Sequence, residues 1–293
     1  MQTVAVVTGA NSGLGRATSV YLATKGIRVF GTARNLQSTA KLDAMAADAG
    51  VAVEVVPMDV TDDRSVAEGM ARIIDDAGRV DILVNNAGIG GNGVVEDTTP
   101  EMLQAVVDVN VGGMLRCVRA VLPTMRARGS GTIVNISSVA GRIGIIAQAP
   151  YVASKWAVEG LTEQLALEVA GFGIRVVVIE PGVTKSAIFA KNANLPETTG
   201  AYDAQYRRML QFYQAGLKHA TDPFEVGALV YEAATTDKPR LRYSISWGGP
   251  ELCDGRQTMD DDIWVDIGRA TDDDDYYRRF EAAFGLPIAP DPA

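Results

Sequence analysis

The chain has 293 residues, 47% of them hydrophobic, and a formal net charge of -9, with a mean hydropathy of +0.07. That balance suits a soluble globule with a sizeable core, and an acidic chain without a basic cluster argues against non-specific attraction to nucleic acid or an anionic membrane. Cys117 and Cys253 are too few for a disulfide framework, and with His219 as the single histidine a histidine-based triad or multi-histidine metal site is nearly excluded. No basic leader precedes the first apolar run, and the longest runs, such as 176–179, fall far short of the ~18 to 20 residues that a membrane span needs. The expectation is a cytoplasmic protein without a membrane span and without a metal.

In chain order, the first strand is expected at Val4–Val7 and runs into Thr8-Gly9-Ala10-Asn11-Ser12-Gly13-Leu14-Gly15, followed by a helix over 14–25. Glycines in such a turn let the backbone approach a pyrophosphate at a helix N-terminus, although any tight strand-to-helix turn also needs glycine. The second strand, 28–32, leads to Arg34 with no acidic residue at its end. In NAD enzymes an acid stands there to take the ribose hydroxyls; a guanidinium fork in its place suits a 2′-phosphate and points to NADP(H).

A helix over 38–49, a strand over 52–57, a helix over 64–77, a strand over 82–84 and a long helix over 101–127 follow. The strand at 131–137 ends in Ser137-Ser138, and thirteen residues beyond Ser138 stands Tyr151, with Lys155 four residues further on at the start of a helix over 152–170. Residues i and i+4 share a helix face. An ammonium near a phenol stabilises phenolate, which predicts a Tyr151 pKa lowered from its ordinary value near ~10 and a side chain able to exchange protons with an alkoxide. A serine hydroxyl at a strand end can hold the reacting oxygen beside it.

The last strands are expected at 174–179 and 242–246. Between them, residues 183–222 carry no strand; Tyr202, Tyr206, Met209, Leu210, Tyr213 and Leu217 fall at helical spacing there, with Phe189 and Phe212 nearby. Two readings stay open for this stripe, a lipophilic substrate pocket or ordinary helix packing. The acidic extension over 250–293 reads as two helix starts, Thr258 before 259–261 and Thr271 before 272–275, with Gly285 and Pro287 as a stop. Alternating strands and helices without a linker give one α/β domain over 1–293, a doubly wound parallel sheet of about seven strands with helices on both faces, including a lid at 183–222.

These residues, taken together, resemble the short-chain dehydrogenase/reductase family, whose sheet is of the Rossmann type. The motifs occur in order: Thr8-Gly-x-x-x-Gly-x-Gly15, Asp59-Val60, Asn85-Asn86-Ala87-Gly88, Asn110, Ser138, Tyr151-x-x-x-Lys155 and Pro181-Gly182. The resemblance implies a catalytic tetrad of Asn110, Ser138, Tyr151 and Lys155, with Lys155 also on the nicotinamide ribose and Asn110 anchoring a water in a proton relay. It implies cofactor contacts from Gly9, Asn11, Ser12, Gly13, Leu14, Gly15 and Arg34, from Asp59 and Val60 at the adenine, and from Asn86, Ala87 and Gly88. Pro181, Gly182, Thr184 and Ser186 complete that set, Ser186 standing where the family often has threonine. Thr32-Ala33-Arg34 and the long extension loosely resemble the hydroxysteroid and retinol dehydrogenase-like branch. The implied reaction moves a hydride between NADP(H) and a carbonyl or alcohol, in a homodimer or homotetramer; a non-catalytic NADP-sensing protein is the alternative.

Overall fold

The computed structural model describes residues 2–186 and 198–291. Seven parallel strands, β1 (Val4–Val7), β2 (Arg28–Ala33), β3 (Glu54–Pro57), β4 (Ile82–Asn85), β5 (Gly131–Ile136), β6 (Ile174–Pro181) and β7 (Arg242–Ile245), form one sheet in the order β3-β2-β1-β4-β5-β6-β7. The chain first works outward from β1 to β3 and then returns to build the other half from β4. The order therefore reverses between β1 and β4, where Ala5 pairs with Val29 on one side and Ile82 on the other. A crevice opens at the carboxyl ends of the strands at such a reversal.

β1, at the centre of the sheet, is apolar and buried throughout because both sheet faces are covered there. Alternate side chains of β1 point to opposite faces. Val4 and Val6 pack with residues of α3 (Asp63–Ala77), α5 (Gly113–Arg128) and α6 (Ala149–Val169). Ala5 and Val7 pack with Leu22 of α1 (Gly13–Thr24) and with Val226 and Val230 of α8 (Pro223–Thr235). Cys117 of α5 is fully buried, as its apolar surroundings predict, and burial pushes its thiol up to about 12. The remaining helices before the C-terminal part are α2 (Ala40–Asp48) and α4 (Pro100–Val107).

A separate apolar cluster lies beyond the sheet. There α7 (Asp203–Lys218) packs with α9 (Gly249–Thr258), α10 (Asp261–Gly268) and α11 (Asp273–Phe284) through Met209, Phe212, Leu252, Phe280 and Phe284. The extension is thus folded onto the helix of the expected lid. Tyr206 and Met209 are buried in this cluster, whereas Leu210 and Leu217 are exposed. Phe189 lies outside the described residues.

Three sequence expectations change. The helix expected over 101–127 is interrupted: α4 gives way to a π turn at Asp108–Gly112 before α5, and such turns often mark functional sites. Thr258 does not start a helix. It ends α9, its hydroxyl donating back to Asp254 O and Gly255 O, and Asp260 takes the N-cap position of α10. The second helix starts one residue later than its expected cap, with Asp272 Oδ1 accepting from Asp275 N at 2.8 Å. Gly285, with φ 66°, ends that helix as expected. No helix among the described residues is long and apolar enough to cross a membrane.

Candidate active site

A cavity of about 520 Å³ runs along the carboxyl ends of the strands, from Arg34 and Asp59 at one end to Phe212 and Tyr213 at the other. Gly9, Asn11, Ser12, Gly13 and Leu14 line it, as do Val60, Asn86, Ala87 and Gly88. Ser138, Tyr151, Lys155, Pro181, Gly182, Thr184 and Ser186 line its other half. Of the residues expected to form the site, Gly15 and Asn110 stand behind this wall, each with a structural reason.

Gly15 is where the first turn of α1 passes the loop after β4. A Cβ added there would lie 2.3 Å from Asn86 Nδ2 and 2.5 Å from Gly9 O, so any side chain would push the two loops apart. Thr8 fastens the same loop, its hydroxyl accepting from Asn86 N at 3.0 Å and Ala87 N at 2.9 Å. Asn86 Nδ2 returns a bond to Thr8 O at 2.8 Å. Gly9 and Gly13 take left-handed φ values of 67° and 51° in the turn. The Ser12 hydroxyl caps no N–H of α1, which leaves the first-turn amides and the positive end of a twelve-residue helix facing the cavity. An anion such as a pyrophosphate fits this concavity.

At the adenosine end, Asn11 Nδ2 donates to Ser38 Oγ at 2.8 Å and closes the floor between α1 and the turn after β2. Arg34 is exposed and forms no ion pair among the described residues. Burial opposes ionisation of Asp59, but the Thr61 N–H and hydroxyl, both bound to Asp59 Oδ1, prevail. With the Arg34 and Arg116 charges they hold the carboxyl below its usual range.

At the other end, Ser138 leaves β5 in extended conformation, and its hydroxyl interacts with the Tyr151 phenol. Ala147, a non-glycine residue at φ 55°, turns the chain into α6, and Ala147 O accepts from Gly93 N at 2.8 Å. This turn brings Gln148 and then Tyr151 to the cavity wall. Lys155 is buried, and its Nζ donates to Ile136 O at 2.8 Å while lying 5.6 Å from the centre of the Tyr151 ring. Asn110, in the π turn, does not reach the cavity. Its Oδ1 accepts from Ile89 N at 2.8 Å, and its Nδ2 donates to Ile89 O at 2.9 Å and to Ser154 Oγ at 3.0 Å.

The electrostatics correct the sequence-based expectation for Tyr151. Burial pushes its phenol up to about 12, against the pull of the Ser138 hydroxyl. Burial likewise brings Lys155 down to about 8, with Glu159 opposing. Desolvation outweighs the helical spacing here, because the ammonium points to a strand carbonyl instead of the phenol oxygen. The arrangement holds a protonated phenol, a serine hydroxyl and a cation of tunable charge around one point.

Several lining residues carried no sequence signal. Ile145 and Gln148 come from the loop before α6, and Ser38 from a short turn; their places depend on long-range packing. Of the two readings of the lid stripe, each describes part of it: Tyr206 and Met209 are core, while Tyr213, with Phe212 beside it, faces the cavity.

The model of the short chain dehydrogenase family matches residues 3–196. The chain belongs to the short-chain dehydrogenase/reductase family. Mouse 17-beta-hydroxysteroid dehydrogenase type 1 is 38% identical over 254 residues, 82% of this chain and 73% of that one. The crystal structure of a short-chain dehydrogenase from Streptomyces avermitilis superposes with a TM-score of 0.80 at 36% identity, covering 92% of this chain and 95% of that chain. An actinorhodin polyketide ketoreductase crystallised with NADPH superposes with a TM-score of 0.68 at 32% identity, covering 80% and 90%. The fold expectation, a Rossmann-type sheet of seven parallel strands, holds, and the chain is an oxidoreductase of this family.

Proposed function

We propose that this oxidoreductase transfers a hydride between NADP(H) and the carbonyl or alcohol carbon of an uncharged, largely apolar substrate. The observation that carries the reading is the meeting of Tyr151, Ser138 and Lys155 in one cavity whose far rim presents the exposed guanidinium of Arg34. Arg34 stands where an acid would select NAD, and its charge suits the 2′-phosphate of NADP; the NADPH complex of a related ketoreductase accords with this. The first-turn amides of α1 would hold the pyrophosphate, Asp59 and Val60 the adenine, and Asn86, Ala87 and Gly88 the dinucleotide along its length. Pro181, Gly182, Thr184, Ser186 and Lys155 would hold the nicotinamide half.

When bound, the dinucleotide supplies or accepts the hydride; the proton is this chain's task. In reduction the carbonyl oxygen gains negative charge, and a hydroxyl donor already aimed at it lowers the barrier. Ser138 would bind that oxygen and Tyr151 would give it the proton. A phenol held near 12 stays protonated at neutral pH, which suits the reductive direction. Lys155 would stabilise the phenolate left behind. Asn110 would act through the loop it fastens at Ile89 and through Ser154, whose hydroxyl donates to Tyr151 O at 2.7 Å.

The substrate class follows from the wall. Among the described lining residues the only charged side chains are Arg34, Asp59 and Lys155. The space beyond Tyr151 is bounded by Val139, Ile145, Val183 and Phe212, with Gln148 and Tyr213 as its polar groups. Among the described lining residues, Lys155 is the one cation near the reacting carbon, and no second cation stands ready for a carboxylate or phosphate of the substrate. NADPH oxidation with a panel of ketones and aldehydes, apolar and anionic, tests the reading. Turnover of apolar members is expected, whereas NADPH binding with no turnover of any carbonyl would favour an NADP sensor.

We also propose that the chain assembles as a homodimer or homotetramer through α5 and α6, where Leu115, Trp156 and Leu167 are 45%, 52% and 76% exposed. A monomer mass in light scattering at micromolar concentration contradicts this.

A further inference from the structure

Gln148 stands at the N-cap of α6, three residues before Tyr151, and the backbone around it is held from two sides. Gly93, from the loop after β4, pairs with Gln148 in a parallel bridge; its N–H donates to Ala147 O at 2.8 Å and its carbonyl accepts from Ala149 N at 2.8 Å. Gln148 O accepts from Val152 N at 2.9 Å and so opens the first turn of the helix. Ala147, at φ 55°, is the strained residue that admits this path. Main-chain bonds therefore fix the position of Gln148, and its side chain takes no part in fixing it.

That side chain has no partner among the described residues. An N-cap residue commonly accepts from a backbone N–H of the first turn, but the Gln148 side chain caps none, and its amide forms no other hydrogen bond there. Gln148 is nonetheless only 5% exposed, and it lines the cavity. A buried amide left unpaired is costly and uncommon, and a ligand in the cavity that supplies the partner removes the cost. The other polar group of this wall, the Tyr213 phenol, already donates to Asn92 Oδ1 at 3.3 Å. Gln148 thus brings unused hydrogen-bonding capacity to a wall otherwise formed by Val139, Ile145, Val183 and Phe212.

An amide offers two N–H donors and a carbonyl acceptor and carries no charge. It suits a neutral oxygen: a carbonyl accepts from Nε2, and a hydroxyl can also donate to Oε1. Gln148 precedes Tyr151 by one helical turn, a spacing at which Cβ atoms stand about 5 to 6 Å apart. We propose that Gln148 is a specificity-determining residue that hydrogen-bonds a second neutral oxygen of the substrate, a carbonyl or hydroxyl on a carbon beta or gamma to the reacting one. The proposal rests on the placement of the reacting oxygen at Tyr151 and Ser138 given above and deepens it: the substrate class becomes diketones and hydroxyketones on an apolar skeleton.

The test is a binding measurement in the full-length protein saturated with oxidised dinucleotide, NADP+ or NAD+, whichever it binds. No hydride is then available, and a ketone forms a dead-end complex. Calorimetric titration compares two probes of one skeleton, 2,2-dimethylcyclohexanone and 2,2-dimethylcyclohexane-1,3-dione. The wild-type protein is expected to bind the dione about tenfold more tightly, the worth of one neutral hydrogen bond to a buried group and more than the factor of about two from its equivalent carbonyls. In Gln148→Leu the affinity for the dione is expected to fall about tenfold while that for the monoketone stays within about twofold. A general change of the pocket would weaken both probes alike, so the change in their ratio isolates the hydrogen bond. Gln148→Ala is expected to lose the preference in the same way and serves if the leucine variant fails to fold. Equal affinity of the wild-type protein for the two ketones, detectable binding of neither, or a preference retained in both variants would overturn the proposal. Because the readout needs no turnover, failure of the carbonyl panel and failure of this titration are separate results.

Discussion

Arg208 Nε donates to Asp273 Oδ1 at 2.9 Å, joining the helix that carries Phe212 and Tyr213 to the first turn of α11 in the C-terminal extension. The guanidinium is itself buried. It adds bonds to Asp272 O at 3.0 Å and Ala270 O at 3.4 Å and lies 4.7 Å from the centre of the Tyr276 ring. Gln211 Nε2 donates to Ile288 O at 2.8 Å on the same helix. The extension thereby fixes one wall of the cavity at a distance from the dinucleotide site.

Arg208→Met should consequently separate the two halves of the site. Loss of the hydrogen-bonded buried charge is expected to lower stability by about 1 to 3 kcal/mol and to raise KM for the carbonyl several-fold. The Kd for NADPH should stay within about twofold, because none of its expected contacts lies on α7. Thermal melts, steady-state kinetics and NADPH titration check this, and an equal loss of cofactor affinity would contradict the division.

The pH profile of reduction should be governed by Lys155. Its ammonium form, with a pKa brought down to about 8 by burial, is present below that pH and lost above it. The phenol, pushed up to about 12, remains protonated throughout the working range. At low concentrations of both substrates, kcat/KM reports groups of the free enzyme and is expected to be level below about pH 7 and to decline above about 8. A profile that stays level or rises to pH 9.5 would contradict the assignment.

Cofactor choice is expected to depend on Arg34. Arg34→Ala removes a charge-assisted contact and is expected to weaken NADPH roughly 10- to 150-fold while leaving NADH little changed. Titration of both dinucleotides measures it, and equal affinities in the wild-type protein would contradict the NADP assignment.

The sheet and the cavity end of the strands were legible in the sequence because strand ends, tight turns and helix starts are local. Thr8, Gly9, Gly13 and Gly15 announce a turn that two close loops require, and Tyr151 and Lys155 announce a shared helix face. The state of Tyr151 was not legible, since spacing carries no information on desolvation or on the strand carbonyl that Lys155 Nζ binds. Asn110 was named, but its inward bonds to Ile89 and Ser154 arise from a π turn hidden within an apparently continuous helical pattern. Gln148, Ser154 and Glu159 gained their surroundings from distant segments and gave no signal. In the extension, Thr258 read as a cap because its hydroxyl precedes acidic residues, whereas α9 runs up to it and uses that hydroxyl internally.

The most direct test of the account is the turnover of Tyr151→Phe, measured beside its NADPH affinity. The substitution keeps the ring and removes the hydroxyl that Ser138 contacts. The fold and NADPH binding are expected to survive while reduction of a carbonyl accepted by the wild-type protein falls by at least about 10² to 10⁴. Lys155→Met is the companion variant, expected to lose both turnover and cofactor affinity. A Tyr151→Phe protein that binds NADPH and reduces the same carbonyl at a rate near that of the wild type would contradict the assignment of Tyr151 as the proton donor.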